Sequence, residues 1–413
     1  MAGLATGGPY TTHQLPNYLG ELFGLTPMDT PFLSMAGGLT GGEEVHATMF
    51  GWQTYDLRTA SQNSRLEGAA AQTAEARVRA YVFNVVQIHQ ETIETTYTKQ
   101  AAVAQLGTTG SAHTYNELGE GSNPVQDEQD WQVSQMIKQI ARDVEYSFIN
   151  GTFQEPSNNS TARQTRGILA AITTNATDKA ATSLTGCTIE TDDDLVTKTS
   201  HGLSAGDQVA FTSLTGGTGL SLEAYETYYV IATGITANAF SVSLTKGGSA
   251  VDITVDYSDA TCQPLTEPTA SMFLDLMQDV WDNGGIMEDE TRTVFVNSGL
   301  KRYLTKFFIT DQGYQEQTRN VGGVAVTVVE TDFGRLNIVL ERHMPKSEAL
   351  VASMEHVAPV FLNIPGKGFL FREPLAKVGA GFRDQIYGEI GLKYGPELVH
   401  GKLTGLHGKY DPS

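Results

Sequence analysis

The sequence predicts an α+β chain that carries an inserted all-β domain, and three observations support this fold class. Residues 127–149 place apolar side chains at helical spacing along one long segment. Residues 267–345 alternate between helical and strand patterns. Residues 176–266 instead contain short β-rich runs separated by glycine-rich turns. The length of 413 residues fits two or three compact units.

Composition indicates which partners the chain avoids. It holds 27 Lys and Arg against 47 Asp and Glu, a net charge of -20, whereas binding to phosphates needs basic side chains. Charged residues make up 18% of the chain, less than the usual ~25%. This low fraction suggests that part of the surface is covered, and neighbouring subunits are the simplest cover. Apolar runs fall short of the ~18 residues that a membrane span needs, and no signal peptide precedes them. We therefore expect a soluble, cytoplasmic protein.

Residues 1–44 predict an extended arm. Apolar side chains are scattered there among Gly, Thr and Pro without a sustained helical or strand period. The stretch FGLTPMDTPFL, residues 23–33, is apolar and too short to fold alone. We expect it to pack on a neighbouring chain.

Residues 45–97 predict a long β-hairpin with a projecting tip. β-Branched and aromatic residues are dense in 45–58 and 78–97, while the segment between them is polar. Two strands alone are marginally stable in water, so such a hairpin is expected to lie on another chain. Its mixed charges leave two interpretations open, a solvated loop or ion pairing between subunits.

The helix predicted over residues 127–149 follows Pro124 and ends before Gly151. Its apolar stripe repeats every three or four residues. A helix of this length spans roughly 35 Å, which is enough to act as a spine across a domain.

The insertion at 176–266 is acidic, with 11 Asp and Glu against three lysines. Its short strands recur about every ten residues, as in a small sandwich or barrel. Cys187 and Cys262 lie near its two ends, which must be close together if the host fold is uninterrupted. We expect buried free thiols, with a disulfide as the alternative, because disulfides rarely form in the cytoplasm.

Beyond the insertion, residues 267–345 predict a helix closed by Gly284 and Gly285, a strand, a second helix and two paired strands. A polar loop is predicted over residues 310–323, long enough to serve as an interaction tip. Residues 346–413 return to β runs that are expected to complete a sheet begun before the insertion.

Motifs for catalysis are missing from the sequence. The stretch PGKGF at 365–369 lacks the first glycine and the Ser or Thr of a phosphate loop, and neither HExxH nor GxSxG occurs. Acidic clusters at 191–195 and 279–290 do not match the calcium-binding loop of an EF-hand. We therefore expect no enzyme activity, no cofactor and no metal site. One basic cluster fits either a solvated helix face or a contact with acidic neighbours: Arg292, Lys301, Arg302 and Lys306.

The order of these parts, and several phrases, resemble the major capsid proteins of tailed bacteriophages, whose shell fold encapsulins share. The phrases are LFGLTPMDTPFLSMAGG, FGWQTYDLR, ARDVEYSFINGT, TRGILAAI and VGAGFRDQIYGEIGLKYGPE. The resemblance implies an N-terminal arm (1–44), an extended loop with its strands (45–97), a peripheral domain with the spine helix (98–175), an axial domain (267–345) and return strands that complete both domains (346–413). Residues 176–266 resemble the small β-domains that decorate phage structural proteins and lie outside the shared fold.

This resemblance implies a structural subunit that assembles with itself, as pentamers and hexamers, into the icosahedral shell around a double-stranded DNA genome. The expected location is the virion, assembled in the bacterial cytoplasm. Further implied partners are a separate scaffolding protein, a portal and cement or decoration proteins, with DNA enclosed but not bound sequence-specifically and no membrane contact. The implied interface candidates are Phe23, Pro27, Pro31, Phe32, Leu33, Trp52, Tyr55, Arg58, Arg65, Glu67, Arg77, Arg79, Tyr314 and Arg319.

Two departures from the family pattern modify these expectations. No helical scaffolding segment precedes the arm, so scaffolding is expected from a separate protein. Some members cross-link subunits through a lysine on the extended loop, but this sequence has no lysine before Lys99. We therefore expect a shell without that covalent link. An encapsulin-like compartment shell remains the alternative, followed by a β-rich adhesin, which would require a signal peptide.

Overall fold

The computed structural model describes residues 26–101, 128–215, 222–283, 292–311, 316–321, 324–331 and 334–411, and the helices and strands within these ranges follow in chain order. The helices are α1 Pro31–Ala36, α2 Tyr97–Ala101, α3 Glu128–Asn150, α4 Ile168–Ala171, α5 Ala270–Asp282 and α6 Ser298–Leu304. The strands are β1 Glu43–Val45, β2 Met49–Tyr55, β3 Arg79–Val85, β4 Gln87–Thr96, β5 Ala176–Asp178, β6 Leu184–Glu190, β7 Leu195–Thr197, β8 Gln208–Thr215, β9 Thr227–Ile231, β10 Ala239–Ser243, β11 Tyr257–Pro264, β12 Arg292–Val296, β13 Glu316–Val321, β14 Val324–Thr331, β15 Gly334–Leu340, β16 Ala349–Ser353, β17 Ala358–Leu362, β18 Leu370–Pro374, β19 Gly381–Lys393 and β20 Gly401–Thr404.

Two units divide the chain, and each combines segments that are distant in sequence. The first unit contains residues 1–29, 89–142 and 370–388, and the second contains residues 30–88, 143–369 and 389–413. The peripheral, axial and return-strand assignments remain predictions.

In the first unit, β18 pairs antiparallel with the N-terminal part of β19. Arg372 lies on β18, and its guanidinium contacts Asp384 of β19 and Asp130 of α3. Gln129 donates a hydrogen bond to Asp384, with its amide nitrogen 2.9 Å from the carboxylate oxygen. This network joins the helix to the strand pair within the unit.

The predicted spine helix is confirmed, because α3 covers Glu128–Asn150. Its C-terminal part belongs to the second unit, where Val144, Phe148 and Ile149 are buried. Val144 and Phe148 belong to the apolar stripe that the sequence indicates, whereas Ile137 of the same predicted stripe is 39% exposed.

The second unit is built around a seven-stranded sheet with the order β13-β14-β15-β12-β16-β20-β5, which we call the host sheet. Helices α5 and α6 contribute Phe273, Leu276, Leu300 and Leu304 to the same buried apolar cluster as Val294 of β12. The predicted helix, strand and strand pair after the insertion are therefore confirmed. β5 precedes the insertion and pairs with β20, so the late strands do complete a sheet begun earlier.

The prediction of a polar loop over residues 310–323 was partly wrong. Residues 316–321 form β13, which pairs antiparallel with β14. The sequence QEQTRNV is polar and has weak strand propensity, but the edge of β14 supplies backbone hydrogen-bonding partners that override it. Residues 305–311 continue α6 as a π-helical turn.

The insertion forms a closed barrel of six antiparallel strands in the order β10-β7-β6-β11-β8-β9, which we call the barrel. Closure leaves no open sheet edge. A small closed β-domain can therefore be inserted into another fold without exposing an unpaired strand. The barrel begins at β6 rather than at residue 176, because β5 belongs to the host sheet. Its first and last strands are neighbours, as predicted from the need for adjacent ends.

Both cysteines are buried free thiols in the barrel core, which confirms that expectation. Desolvation by burial raises the pKa of both thiols, Cys187 and Cys262, so each stays protonated and chemically inert.

His400 makes the second unit sensitive to acid. Its ring is buried, Nδ1 accepts a hydrogen bond from the Ser353 amide at 3.2 Å, and Nε2 lies 2.7 Å from the Tyr394 carbonyl. This arrangement needs a neutral ring with its proton on Nε2. Burial lowers the pKa of His400 to about 4.

We predict that stability falls as the pH drops from about 6.5 to about 4. The depressed pKa means that the unfolded chain takes up a proton that the folded chain refuses, at a cost of about 3 kcal/mol by pH 4. Urea unfolding of the subunit across this range measures the loss, and His400→Gln should flatten the slope. An equally steep slope in that variant would show that other groups cause the acid sensitivity.

Candidate subunit interface

The β2–β3 hairpin has a base that is fixed by a buried amide. The side chain of Asn84, on β3, donates to the Leu392 carbonyl at 2.8 Å and to the Arg166 carbonyl at 3.1 Å. Its oxygen accepts from the amides of Val85 and Arg166 at 2.9 and 2.8 Å. All the hydrogen-bonding capacity of this buried group is used, so the base of the hairpin is fixed to Arg166 and Leu392.

Trp52, on β2, fastens the other strand of the hairpin. Its indole Nε1 donates to the Gly395 carbonyl at 2.9 Å, and its ring meets Tyr394 edge-on with centroids 4.9 Å apart. Phe50, two residues earlier, is buried against Val86 and Val360. The packed and hydrogen-bonded indole therefore anchors β2 to the segment around Tyr394 and Gly395.

The tip of the hairpin has the opposite character. All residues from Tyr55 to Tyr81 are exposed, including Tyr55 at 70%, Leu66 at 85% and Val78 at 82%. Arg58, Arg65 and Arg77 donate hydrogen bonds to other residues of the loop. Large apolar side chains held away from the core in this way are typical of an interaction surface.

The segment that precedes the hairpin is anchored to α3. Residues 31–36 form α1, and the carboxylate of Glu145 accepts hydrogen bonds from the amides of Phe32 and Leu33 at 2.8 and 2.5 Å. The Phe32 ring packs against Phe295, with centroids 5.2 Å apart. Phe32 is 0% exposed and Leu33 is 2% exposed, so both side chains lie inside this chain.

The prediction that FGLTPMDTPFL packs on a neighbour is therefore wrong for its C-terminal part. Pro31, Phe32 and Leu33 begin a helix instead of extending, because Glu145 satisfies the amides at its start and the core takes up the rings. Pro27 is exposed, and Phe23 lies outside the described residues.

Glu145 shares its buried site with a second acid. Burial raises the pKa of Glu145 far above its usual range, the hydrogen bond and charge of Glu341 raise it further, and the amides of Leu33 and Phe32 lower it by less. Oε1 of Glu341 accepts from the His343 amide at 2.8 Å. A proton on Glu145 avoids the repulsion of two buried charges.

The remaining interface candidates divide by exposure. Trp52 packs on Tyr394 and is partly buried, and its interface role stays a prediction. Tyr314 and the side chain of Arg319 lie outside the described residues. Six candidates are exposed on the hairpin, where their interface role stays a prediction: Tyr55, Arg58, Arg65, Glu67, Arg77 and Arg79.

Asn84, Glu145 and Glu341 were missed by sequence reasoning. The only signal was polarity inside otherwise apolar patterns, as for Glu145 within ARDVEYSFI. A polar residue at such a position is buried only with partners, and those partners come from distant segments.

Within the described ranges, no helix has the length and apolar character to cross a bilayer. The same ranges contain no group of three His, Cys, Asp or Glu side chains arranged to hold a metal ion.

Comparison with known proteins identifies the family. The family model described as SU10 major capsid protein matches residues 5–407. The chain belongs to this major capsid protein family. The match covers the arm, the hairpin, the barrel and the host sheet alike.

Individual relatives agree with this family. The major capsid protein of Escherichia phage Phieco32 is 30% identical over 128 residues, which is 31% of this chain and 30% of that protein. The match thus spans less than a third of that relative's length.

Solved structures are similar in fold. The capsid asymmetric unit of Cyanophage A-1(L) covers 95% of this chain, with 97% of its own chain aligned, at a TM-score of 0.50 and 8% identity. The holo-SrpI encapsulin complex from Synechococcus elongatus PCC 7942 aligns over 90% of this chain and 88% of its own, at a TM-score of 0.45 and 8% identity. The similarity to the Cyanophage A-1(L) capsid confirms the predicted capsid fold.

The acid pair gives a testable pH dependence. A raised pKa means that the folded chain keeps a proton that the unfolded chain loses, so the stabilising contribution is present at acid pH and fades as the pH rises. Glu341→Gln supplies a permanent donor to Glu145 and should stabilise the subunit at alkaline pH by on the order of 1 kcal/mol.

Thermal unfolding between about pH 6 and about pH 9 measures this effect. The matched control is Glu155→Gln, an exposed acid, which should leave the pH slope unchanged. A Glu341→Gln slope equal to that of the parent would show that Glu341 does not raise the pKa of Glu145.

Proposed function

We propose that this chain is a structural subunit that assembles with copies of itself into the shell of a tailed-phage capsid. Family membership over residues 5–407 supports this function. The observation that carries it is the hairpin, whose base is fully bonded within the chain while its tip projects with exposed apolar and charged side chains. A tip of this kind is stabilised when a neighbouring subunit covers it.

Many overlapping contacts of this kind suit a closed shell. Each contact between subunits is modest, but a hairpin that reaches across a neighbour adds further bonds for the same subunit. We propose that the subunits form pentamers and hexamers, with a scaffolding protein, a portal and cement or decoration proteins as separate partners. The shell becomes part of the virion and is assembled in the host cytoplasm.

The charge of the chain suits a DNA container. With a net charge of -20, its surface would repel phosphates over most of its area, so enclosed DNA would be held by the closed wall rather than by adhesion. We propose a purely structural role without catalysis. We also propose that the barrel faces outward from the shell.

Electron microscopy and sedimentation of the chain, alone and with candidate scaffolding proteins, test the assembly function. Closed shells or rings of five or six subunits are expected. Monomers under both conditions would overturn it. The content of purified particles distinguishes a capsid from an encapsulin-like compartment, since the capsid function predicts DNA inside and the compartment predicts an enzyme.

The hairpin tip gives a sharper prediction. We expect the combined variant Tyr55→Ser, Leu66→Asp and Val78→Asp to block assembly while subunit stability changes by less than about 0.5 kcal/mol, because these side chains are exposed in the subunit. Tyr225→Ser is the control, since it removes an aromatic ring that is 52% exposed on the barrel. Assembly of the hairpin variant at the parent's concentration would rule out the tip as an interface.

The hairpin also predicts a shell without lysine cross-links. Residues 49–85 contain no lysine, so an amide link from this loop to a neighbour has no nucleophile. Particles boiled in SDS should give one band at the monomer mass of 44.5 kDa. A ladder of covalent oligomers would contradict this prediction.

A further inference from the structure

Residues 405–411, which we call the strap, run between the barrel and the host sheet. The Leu406 amide donates to the Ser347 carbonyl at 3.1 Å, and the His407 amide donates to the Thr266 carbonyl at 2.8 Å. The strap therefore bonds both to the host and to the segment that leaves the barrel.

The barrel binds the strap through a buried side-chain amide. Gln208, on β8, is 1% exposed. Its Nε2 donates to the Lys409 carbonyl at 2.8 Å, and its Oε1 accepts from the Lys409 amide at 3.2 Å. One side chain thus satisfies both backbone groups of one strap residue, as a neighbouring strand would.

Two glycines allow the strap to fit into this narrow space. A Cβ on Gly299 would lie 1.9 Å from the Gly408 carbonyl oxygen. A Cβ on Gly408 would lie 2.3 Å from Thr227 Oγ1 and 2.8 Å from Lys346 Cβ. The strap is therefore wedged between the barrel on one side and the host on the other.

Charged groups cross the same junction. Glu226 of the barrel pairs with Lys346 of the host and lies 3.6 Å from Lys409 Nζ of the strap. The Lys409 ammonium also donates to the Leu244 carbonyl at 2.6 Å. Lys246 of the barrel pairs with Asp411 of the strap. A network of half-buried charges holds an orientation better than isolated surface pairs do.

Aromatic packing attaches the strap to α6. The Tyr410 and Tyr303 rings meet edge-on with centroids 4.8 Å apart, and the Arg302 guanidinium lies 4.2 Å from the centroid of the Tyr410 ring. The Asp411 amide donates to the Tyr303 hydroxyl at 3.2 Å. The host thus holds the strap independently of the barrel.

From these contacts we propose that the strap fixes the orientation of the barrel on the host sheet. Besides the strap, the barrel is joined to the host by the Glu226–Lys346 pair and by two short connections, residues 179–183 and 265–269. With the strap in place, the barrel is a rigid projection that presents its surface in one direction. The residues that position it are Gln208, Glu226, Gly299, Gly408 and Lys409.

Distances between spin labels test this proposal on the full chain. One label is placed on the barrel at Ala237→Cys and one on α5 at Gln278→Cys, both exposed positions. The native thiols are fully buried, so only the introduced ones react. We expect one narrow distance distribution in the parent and a broad one in Gly408→Val, whose side chain has no room beside Thr227 and Lys346.

Two lysine variants form the matched pair. Lys409→Met and Lys198→Met each remove a half-buried ammonium that donates to a backbone carbonyl against the barrel, but only Lys409 lies in the strap. We expect broadening for Lys409→Met and none for Lys198→Met.

Protection of Cys187 and Cys262 from a thiol reagent checks that the barrel stays folded in each variant. If Gly408→Val exposes these thiols, the lysine pair decides the question. A narrow parent-like distribution in Lys409→Met, or in a folded Gly408→Val, would overturn the proposal. The test needs no shell, so its failure leaves the assembly function untouched.

Discussion

The contact between the Glu145 carboxyl group and the amides of Phe32 and Leu33 is the constraint on which the second unit depends. A helix start buried in the core must satisfy its free amides, and a carboxyl group on α3 does this where water has no access. The cost is a buried acid, and its raised pKa keeps this acid neutral beside Glu341. Helix α1, helix α3 and the residue that follows β15 therefore meet at Glu145.

The base and the tip of the hairpin differ in how well their side chains are satisfied within the chain. At the hairpin base, Asn84 uses every donor and acceptor, and Trp52 is bonded and packed. At the tip, apolar side chains remain in water. Folding alone gives no reason to hold them there, because exposing Leu66 and Val78 gains no burial energy. The arrangement becomes understandable when a neighbouring subunit covers the tip.

Sequence patterns predicted the parts of the fold that repeat locally. The stripe on α3, the short β-rich runs of the barrel and the glycine-rich turns between them depend on neighbours along the chain, so they were visible. The α1 helix and β13 were not, because PFLSMA and EQTRNV owe their structure to Glu145 and to the edge of β14. The buried position of Phe32 and Leu33 was missed for the same reason. Apolar character marks Phe32 as buried but does not say in which chain.

The barrel shows how a domain can be inserted without disturbing its host. Its entry and exit meet on one segment, since the Lys179 amide bonds to the Thr404 carbonyl and the Thr266 amide bonds to the Gly405 carbonyl. The two ends of the insertion are therefore adjacent in the host fold, as the ends of a short loop between β5 and α5 would be. Barrel closure removes any edge that could pair with the host sheet or with another subunit. The same segment continues into the strap, so one stretch of chain both closes the insertion site and contacts the domain inserted there.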